Sequence, residues 1–168
     1  MSNGSKFRLA TLDDVAALAA LHSECFEDPW SAQSMIDVLG SMGAFGYVSD
    51  LPRMAGNGHA AIAGFVIARV TADDAELLSL GVARSCRRRG LARMLVSETL
   101  VRVMALGARR IFLEVAVDNH DAQALYATFG FATVGRRPDY YRNRDGSMTA
   151  ALTLRRILDS PLRRRSGL

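Results

Sequence analysis

The residues with the means for chemistry begin in a loop. From Leu78 to Val96 the chain reads LSLGVARSCRRRGLARMLV, an apolar β-prone run to Val82, a basic stretch, then a helix-prone segment from near Gly90. A strand that feeds a helix through such a loop presents unpaired backbone N–H groups and a positive helix end. Oxygen-rich anions suit that position, and Arg87, Arg88 and Arg89 add charge to it. Glu114 is a second candidate, a carboxylate inside the apolar run FLEVAV. It reads either as an outward-facing strand residue or as a proton acceptor. Tyr126 is either a core aromatic whose hydroxyl finds one partner or a proton donor. Asn119 before it can cap a helix, touch a ligand, or both. Cys86, beside the arginines, is open to a lowered thiol pKa; the plainer reading is a loop residue without chemical consequence.

The elements that must carry these residues follow from period and punctuation. Phe7–Leu9 is a short strand, and Thr11-Leu12-Asp13-Asp14 has the form of a capping box. Val15, Leu18, Ala19, Leu21 and Phe26 fit a helix from about Asp13 to Cys25. Ser31 caps a second helix that Gly40 ends. Strands are expected over 44–49, 60–70 and 76–82, joined by a Gly/Asn/Pro-rich turn over 50–58 and by Asp73-Asp74, which makes an antiparallel meander. A helix over 91–106, apolar round much of its circumference, reads as largely buried. Then come a strand over 110–117, a helix from Asn119 to Phe129, and strands over 131–136 and 149–155 flanking a polar loop. The order predicts an α/β (α+β) fold: a mixed, mostly antiparallel sheet of about seven strands with helices on both faces.

With 168 residues and nothing Pro- or Ser-rich enough to divide it, the chain reads as a single domain over 1–158 with a basic, mobile tail over 159–168 that carries Arg163-Arg164-Arg165. No apolar run approaches the roughly 20 residues of a membrane helix. The N-terminus lacks a signal peptide's apolar core. Two cysteines, Cys25 and Cys86, make neither a disulfide framework nor a metal site. A cytoplasmic setting is expected. The net charge of +4 is modest. No aromatic interleaves with Arg87-Arg88-Arg89, as stacking on a nucleic acid requires.

Arg87-Arg88-Arg89-Gly90-Leu91-Ala92 matches the pattern Gln/Arg-x-x-Gly-x-Gly/Ala, with which acetyltransferases of the GNAT superfamily grip the pyrophosphate of acetyl-CoA. The strand IFLEVAV and the run Asn119-x-x-Ala122-x-x-Leu125-Tyr126-x-x-x-Gly130-Phe131 match later motifs of that superfamily, in order. Asp28-Pro29-Trp30-Ser31, Leu113-Glu114-Val115, Arg136-Arg137 and Tyr140-Tyr141 resemble the RimI-type protein N-terminal alanine acetyltransferases in particular. The resemblance runs from about Phe7 to Leu154. Two positions depart: Ala116 stands where such sequences usually have an arginine, and Met148-Thr149-Ala150 where they usually have an acid.

The resemblance implies a GNAT fold and transfer of an acetyl group from acetyl-CoA to a protein's N-terminal amine, such as a ribosomal protein's alanine, with no metal. Glu114 is then the base and Tyr126 the acid. Leu80, Gly81 and Val82 offer strand backbone to the amide-rich pantetheine arm. Arg87, Arg88, Arg89, Gly90, Leu91 and Ala92 hold the pyrophosphate, with Asn119 and Tyr126 also at the cofactor, and Trp30, Tyr140 and Tyr141 line the acceptor side. The chemistry is consistent. A peptide α-amine, with a pKa of about 8, needs only a modest base, and a departing thiolate benefits from a phenol's proton. The enzymatic alternative is acetylation of a small amine or an internal lysine. The non-enzymatic one is an acyl-CoA sensor, which needs neither Glu114 nor Tyr126.

Overall fold

The computed structural model describes residues 7–51 and 61–158. The turn expected over 50–58 lies mostly, and the tail over 159–168 wholly, outside them. The elements are β1 (Phe7–Leu9), α1 (Val15–Cys25), α2 (Ala32–Leu39), β2 (Ala44–Asp50), β3 (Ile62–Thr71), β4 (Asp74–Val82), α3 (Leu91–Ala105), β5 (Arg110–Ala116), α4 (His120–Thr128), β6 (Ala132–Arg142) and β7 (Met148–Ile157). They form a seven-stranded sheet in the order β1-β2-β3-β4-β5-β7-β6. Every neighbouring pair is antiparallel except β4 and β5. The expected mixed sheet is borne out.

Local chemistry starts the helices where the sequence signals. The Asp14 carboxylate accepts the Thr11 N–H at 2.8 Å, and the Ser31 hydroxyl accepts the Ser34 N–H at 3.1 Å. One 3-10 turn, Leu12–Asp14, precedes α1. Arg8 reaches Asp14 and Asp50 at 2.7 and 2.8 Å and so ties β1 to the start of α1 and the end of β2. The hydrogen bonds from Arg8 hold the Asp14 carboxyl below its ordinary pKa range.

Helices cover both faces. A Cβ placed on Gly64 would touch Leu91 and Leu95 of α3, whereas one on Gly81 would strike Phe65 at 2.5 Å and Cys25 of α1 at 3.1 Å. Gly64 pairs with Val82 and Phe65 with Gly81, so adjacent positions of β3 and β4 address opposite layers. Leu18, Met35 and Phe65 are fully buried, as are Val66, Leu95 and Val103.

Two expectations need correction. The helix α3 buries only one face, through Leu91, Leu95, Val96, Thr99, Leu100 and Val103; Met94 and Val101 face water. Apolar content overstated its burial because those two lie outside the stripe that meets the sheet. The last hairpin is also longer than its polar sequence suggests. Strand β6 continues through Tyr140-Tyr141, its register against β7 shifting between Thr133 and Gly135 and again between Arg137 and Tyr141, where Asp139 has φ +52°. Pro138 is accommodated because β6 is an edge strand.

The parallel pair positions the site. Only Asp74–Glu76 pair with Arg110–Phe112; beyond them β4 runs on to Val82 and β5 to Ala116 without pairing. The register jumps between Ile67↔Ser79 and Ala68↔Leu77, so Leu78 is the extra residue of a bulge in β4. A bulge bends and twists its strand, and here the bend begins just where β4 leaves β5. The result is a wedge open between the two strands.

Candidate active site

One wall of the wedge is backbone. Ala83 N–H donates to the Ala63 carbonyl at 2.8 Å. The alternation of an antiparallel ladder then turns the N–H and C=O of Val82 and Leu80 away from β3, into the wedge. Gly81 differs: its backbone groups face β3, and its lack of a side chain makes room for Phe65 and Cys25. An extended, amide-bearing chain can therefore add along Leu80 and the N–H of Val82 as a strand would, the Val82 carbonyl being already taken by Arg87 Nε and Cys25 Sγ.

The loop continues this wall. A 3-10 turn, Arg84–Cys86, is tied to α1 by the Arg84 N–H on Glu24 Oε1 at 2.7 Å, and Cys86 is buried. Arg88 has φ +63° and Gly90, the N-cap of α3, φ +79°. A Cβ at Gly90 would meet nothing within 4 Å, so glycine is required there for its conformation rather than for space. Among the described residues no side chain caps this helix end and no acid sits in its first turn, which leaves the N–H groups from Gly90 through Ala92 to an outside acceptor. The Leu91 side chain points into the core. The arginines divide. Arg87 turns back, its Nε 3.0 Å from the Val82 carbonyl and its Nη2 3.8 Å from Cys25 Sγ. Arg88 is almost fully exposed, 3.8 Å from Asp121, and Arg89 is exposed.

The opposite wall is made of side chains. The Glu114 carboxylate is 13% exposed. It accepts the Thr153 hydroxyl, 3.0 and 2.8 Å from its two oxygens, and pairs with Arg137 Nε at 3.0 Å. The guanidinium of Arg137 lies over the Tyr140 ring at 5.6 Å. The Tyr141 hydroxyl donates to the Glu114 carbonyl at 3.1 Å. Burial, then its neighbours Tyr140 and Glu114, push the Tyr141 phenol up to about 12. Tyr126 is buried edge-on to Phe131. Burial above all, and the proximity of Tyr141, raise its phenol pKa far above the ordinary value, so it holds its proton at neutral pH. The structure thus joins Glu114, Tyr141 and Tyr126 in one cluster with Tyr140 beside it.

Asn119 caps α4, its Oδ1 accepting the Ala122 N–H at 3.1 Å. Trp30 lies in the α1–α2 connection. Its ring stacks on His22 at 4.9 Å and its backbone N–H donates to His22 Nδ1 at 3.1 Å. His22 Nε2 meets the Ser79 hydroxyl of β4 at 3.2 Å. Burial lowers the pKa of His22 to about 4, so the ring is neutral and its proton lies on Nε2. The same connection touches the β6–β7 turn through the Arg144 N–H on Glu27 at 2.9 Å. Trp30 and the tyrosines therefore sit on segments that meet. Residue-by-residue reading singled out neither Thr153, His22 nor Gln123, whose amide holds the Ala116 and Val117 carbonyls at 2.9 and 3.1 Å. Thr153 faces Glu114 only through the β5–β7 register, and the one available signal for Arg137 was its place in the Arg136-Arg137 motif.

A mixed sheet whose one parallel pair splays beside an uncapped helix N-terminus, with a carboxylate and a buried phenol on the opposite side, is an arrangement suited to an extended, amide-bearing, anionic ligand. A model of the acetyltransferase (GNAT) family matches residues 15–131. The chain belongs to that family, and it is an acetyl-CoA-dependent N-acetyltransferase. It is 28% identical over 142 residues to the putative [ribosomal protein bS18]-alanine N-acetyltransferase of Bacillus subtilis, covering 84% of this chain and 89% of that one. The crystal structure of the ribosomal-protein-S18-alanine N-acetyltransferase from Escherichia coli superposes with a TM-score of 0.79 at 22% identity, over 96% of this chain and all of that one. Arabidopsis thaliana NAA60 in complex with acetyl-CoA gives the same TM-score at 21% identity, over 91% and 98%. These two likenesses show the fold.

Proposed function

We propose that this protein acetylates the α-amine of a protein N-terminus, with an alanine of a ribosomal protein as the acceptor, and that it works in the cytoplasm as one domain. The observation that carries the reading is the Glu114 carboxylate, held by Thr153 and Arg137 where β5 parts from β4, with the buried Tyr126 linked to it through Tyr141. The likeness to the Bacillus subtilis putative [ribosomal protein bS18]-alanine N-acetyltransferase supports the acceptor. The acetyl thioester supplies the electrophile. Leu80 and Val82 take the amides of its pantetheine arm, and the N–H groups from Gly90 to Ala92, with Arg88 and Arg89, take its pyrophosphate. Arg87 acts mainly by holding the loop to the end of β4. Asn119 contributes through the seat it gives α4.

Glu114, held by Thr153 and Arg137, receives the acceptor's ammonium and takes its proton. The amine then forms the N–C bond as the C–S bond breaks, the Tyr126 hydroxyl gives the departing sulfur its proton, and the second proton lost by the acylated nitrogen returns to Tyr126. Tyr141 keeps the strand carrying Glu114 in place and, with Tyr140 and Trp30, lines the approach. No covalent enzyme intermediate is needed, which agrees with the burial of Cys86. The test is CoA release from acetyl-CoA with peptides that differ in their first residue. An Ala-initiated peptide should be the better acceptor; equal rates with free lysine or a polyamine would refute the acceptor assignment.

A further inference from the structure

One buried titratable side chain takes no part in the acetyl transfer. His22, in the last turn of α1, is 2% exposed, and both its ring nitrogens are used. Its Nδ1 faces the Trp30 backbone N–H at 3.1 Å, and a backbone N–H can only donate, so Nδ1 accepts. The ring proton is then on Nε2, 3.2 Å from the Ser79 hydroxyl. The ring also stacks on Phe26 at 4.3 Å, on Trp30 at 4.9 Å and on Phe65 at 5.9 Å.

Residues 26–31 join α1 to α2. Among the described residues, none of 27–30 takes part in a backbone–backbone hydrogen bond. Two other bonds hold the connection: the Trp30 N–H on His22, and the Arg144 N–H of the β6–β7 turn on Glu27 Oε2 at 2.9 Å. Its place relative to Glu114 follows from register. Ile67 and Arg69, two apart on β3, pair with Ser79 and Glu76, and Glu76 pairs with Phe112, two before Glu114. Ser79 and Glu114 therefore project from the same face of the sheet. The connection lies on that face, between β4 and the β6–β7 turn, beside the way an amine takes to Glu114.

We propose that His22 is a positioning residue for the acceptor: by holding the Trp30 backbone it fixes residues 26–31 beside the approach to Glu114, so that the acceptor docks on a preformed surface. A segment without backbone bonds of its own would otherwise be ordered only as the acceptor binds, which weakens binding. The His22 ring is too buried to touch either substrate. This role rests on the reading of the acceptor as a protein N-terminus.

The test compares His22→Asn with His22→Gln in the full chain. Asparagine places Oδ1 where Nδ1 stands and keeps an acceptor for the Trp30 N–H. Glutamine places its amide where Nε2 stands and keeps only the contact to Ser79. With an Ala-initiated peptide, His22→Gln should raise the peptide KM about tenfold, the scale of one buried hydrogen bond, with kcat and the acetyl-CoA KM within about twofold of wild type. His22→Asn should recover most of the peptide KM. Trp30 is the chain's only tryptophan, so acrylamide quenching of its fluorescence reads the connection directly. Quenching should rise in His22→Gln and stay near wild type in His22→Asn. Equal effects of the two variants, or an acetyl-CoA KM that rises with the peptide's, would make His22 a packing residue only and overturn the role. Should the variants fail to fold, the wild type decides: the peptide, added with CoA present, should shield Trp30 from acrylamide, and unchanged quenching refutes the role. A wild type that turns over no N-terminal peptide refutes the acceptor reading and this role with it, whereas turnover with an unmoved peptide KM in His22→Gln refutes this role alone.

Discussion

The two walls of the wedge are built by different means. The β4 wall and its loop are a continuous stretch, Leu77 to Ala92, that offers mostly main-chain groups set by a bulge and a left-handed glycine. The β5 wall is assembled from side chains on β5, α4, β6 and β7, elements brought together only by the sheet. Main-chain donors tolerate side-chain change but not change of backbone conformation. A side-chain cluster behaves the opposite way. The first wall should accordingly govern cofactor affinity, and the second turnover.

The largest expected effect tests that division directly. Glu114→Gln keeps the volume and a bond to Thr153 but loses both the base and the ion pair to Arg137. Turnover should fall by about 10²–10⁴, the range for a general base, while acetyl-CoA affinity stays within about twofold. Steady-state rates beside calorimetric CoA titration measure both. An equal loss of CoA affinity would show that the walls are not separable. Tyr126→Phe should follow at about 10² in turnover. Its cavity is nearly isosteric, and stability should barely move because the hydroxyl has no protein partner among the described residues.

His22 ties the α1–α2 connection to the first wall, since it accepts the Trp30 backbone N–H and bonds Ser79 on β4. Its folded pKa is about 4 against an ordinary 6.5, so between those values the unfolded chain binds more protons than the folded one. Stability is then whole above pH 6.5 and is lost as the pH falls toward 4. From pH 7 to pH 5 the loss should be about 2 kcal/mol, read by denaturant unfolding. In His22→Gln this component of the pH dependence should vanish. A wild-type curve with the same slope as the variant's would refute the assignment.

The contrast between the walls also explains what could be read from the chain alone. The β4–loop–α3 stretch was legible because its signals are local: an apolar run, a glycine at the helix start, a known spacing. Ser31 and Gly40 marked α2 for the same reason. The bulge at Leu78 was not legible, because one extra residue becomes a bulge only against a register with β3. Pro138 and Asp139 read as loop, since nothing local reveals that a strand resumes beyond them. Glu114 stood out as a charge among apolar neighbours, but the hydroxyl facing it was one polar residue among many in β7.

Gly90→Val tests the first wall in its own terms. A β-branched residue at φ +79° costs about 1–2 kcal/mol, so the loop should relax out of its anion-binding shape. The KM for acetyl-CoA should rise about tenfold with kcat at saturation little changed. A fall in kcat alone would mean that this glycine serves the chemistry and not the carrier.

The smallest effect is the most discriminating for the second wall. Thr153 donates one proton shared between both oxygens of Glu114, and Arg137, mostly exposed, supplies the remaining partner. An exposed guanidinium pair is worth at most about 1 kcal/mol, so the threonine fixes the carboxylate's rotamer and the arginine mainly screens its charge. Thr153→Val preserves shape and removes the donor, and should lower kcat/KM for the peptide about threefold to tenfold, as one hydrogen bond to a charged group would. The acetyl-CoA KM should not change, because Thr153 belongs to β7 and never meets the β4 edge. Thr153→Ser should restore most of the rate. If valine and serine behave alike, packing against Gly135 on β6 rather than the hydroxyl sets the position of Glu114, and the second wall is less dependent on polar side chains than its geometry implies.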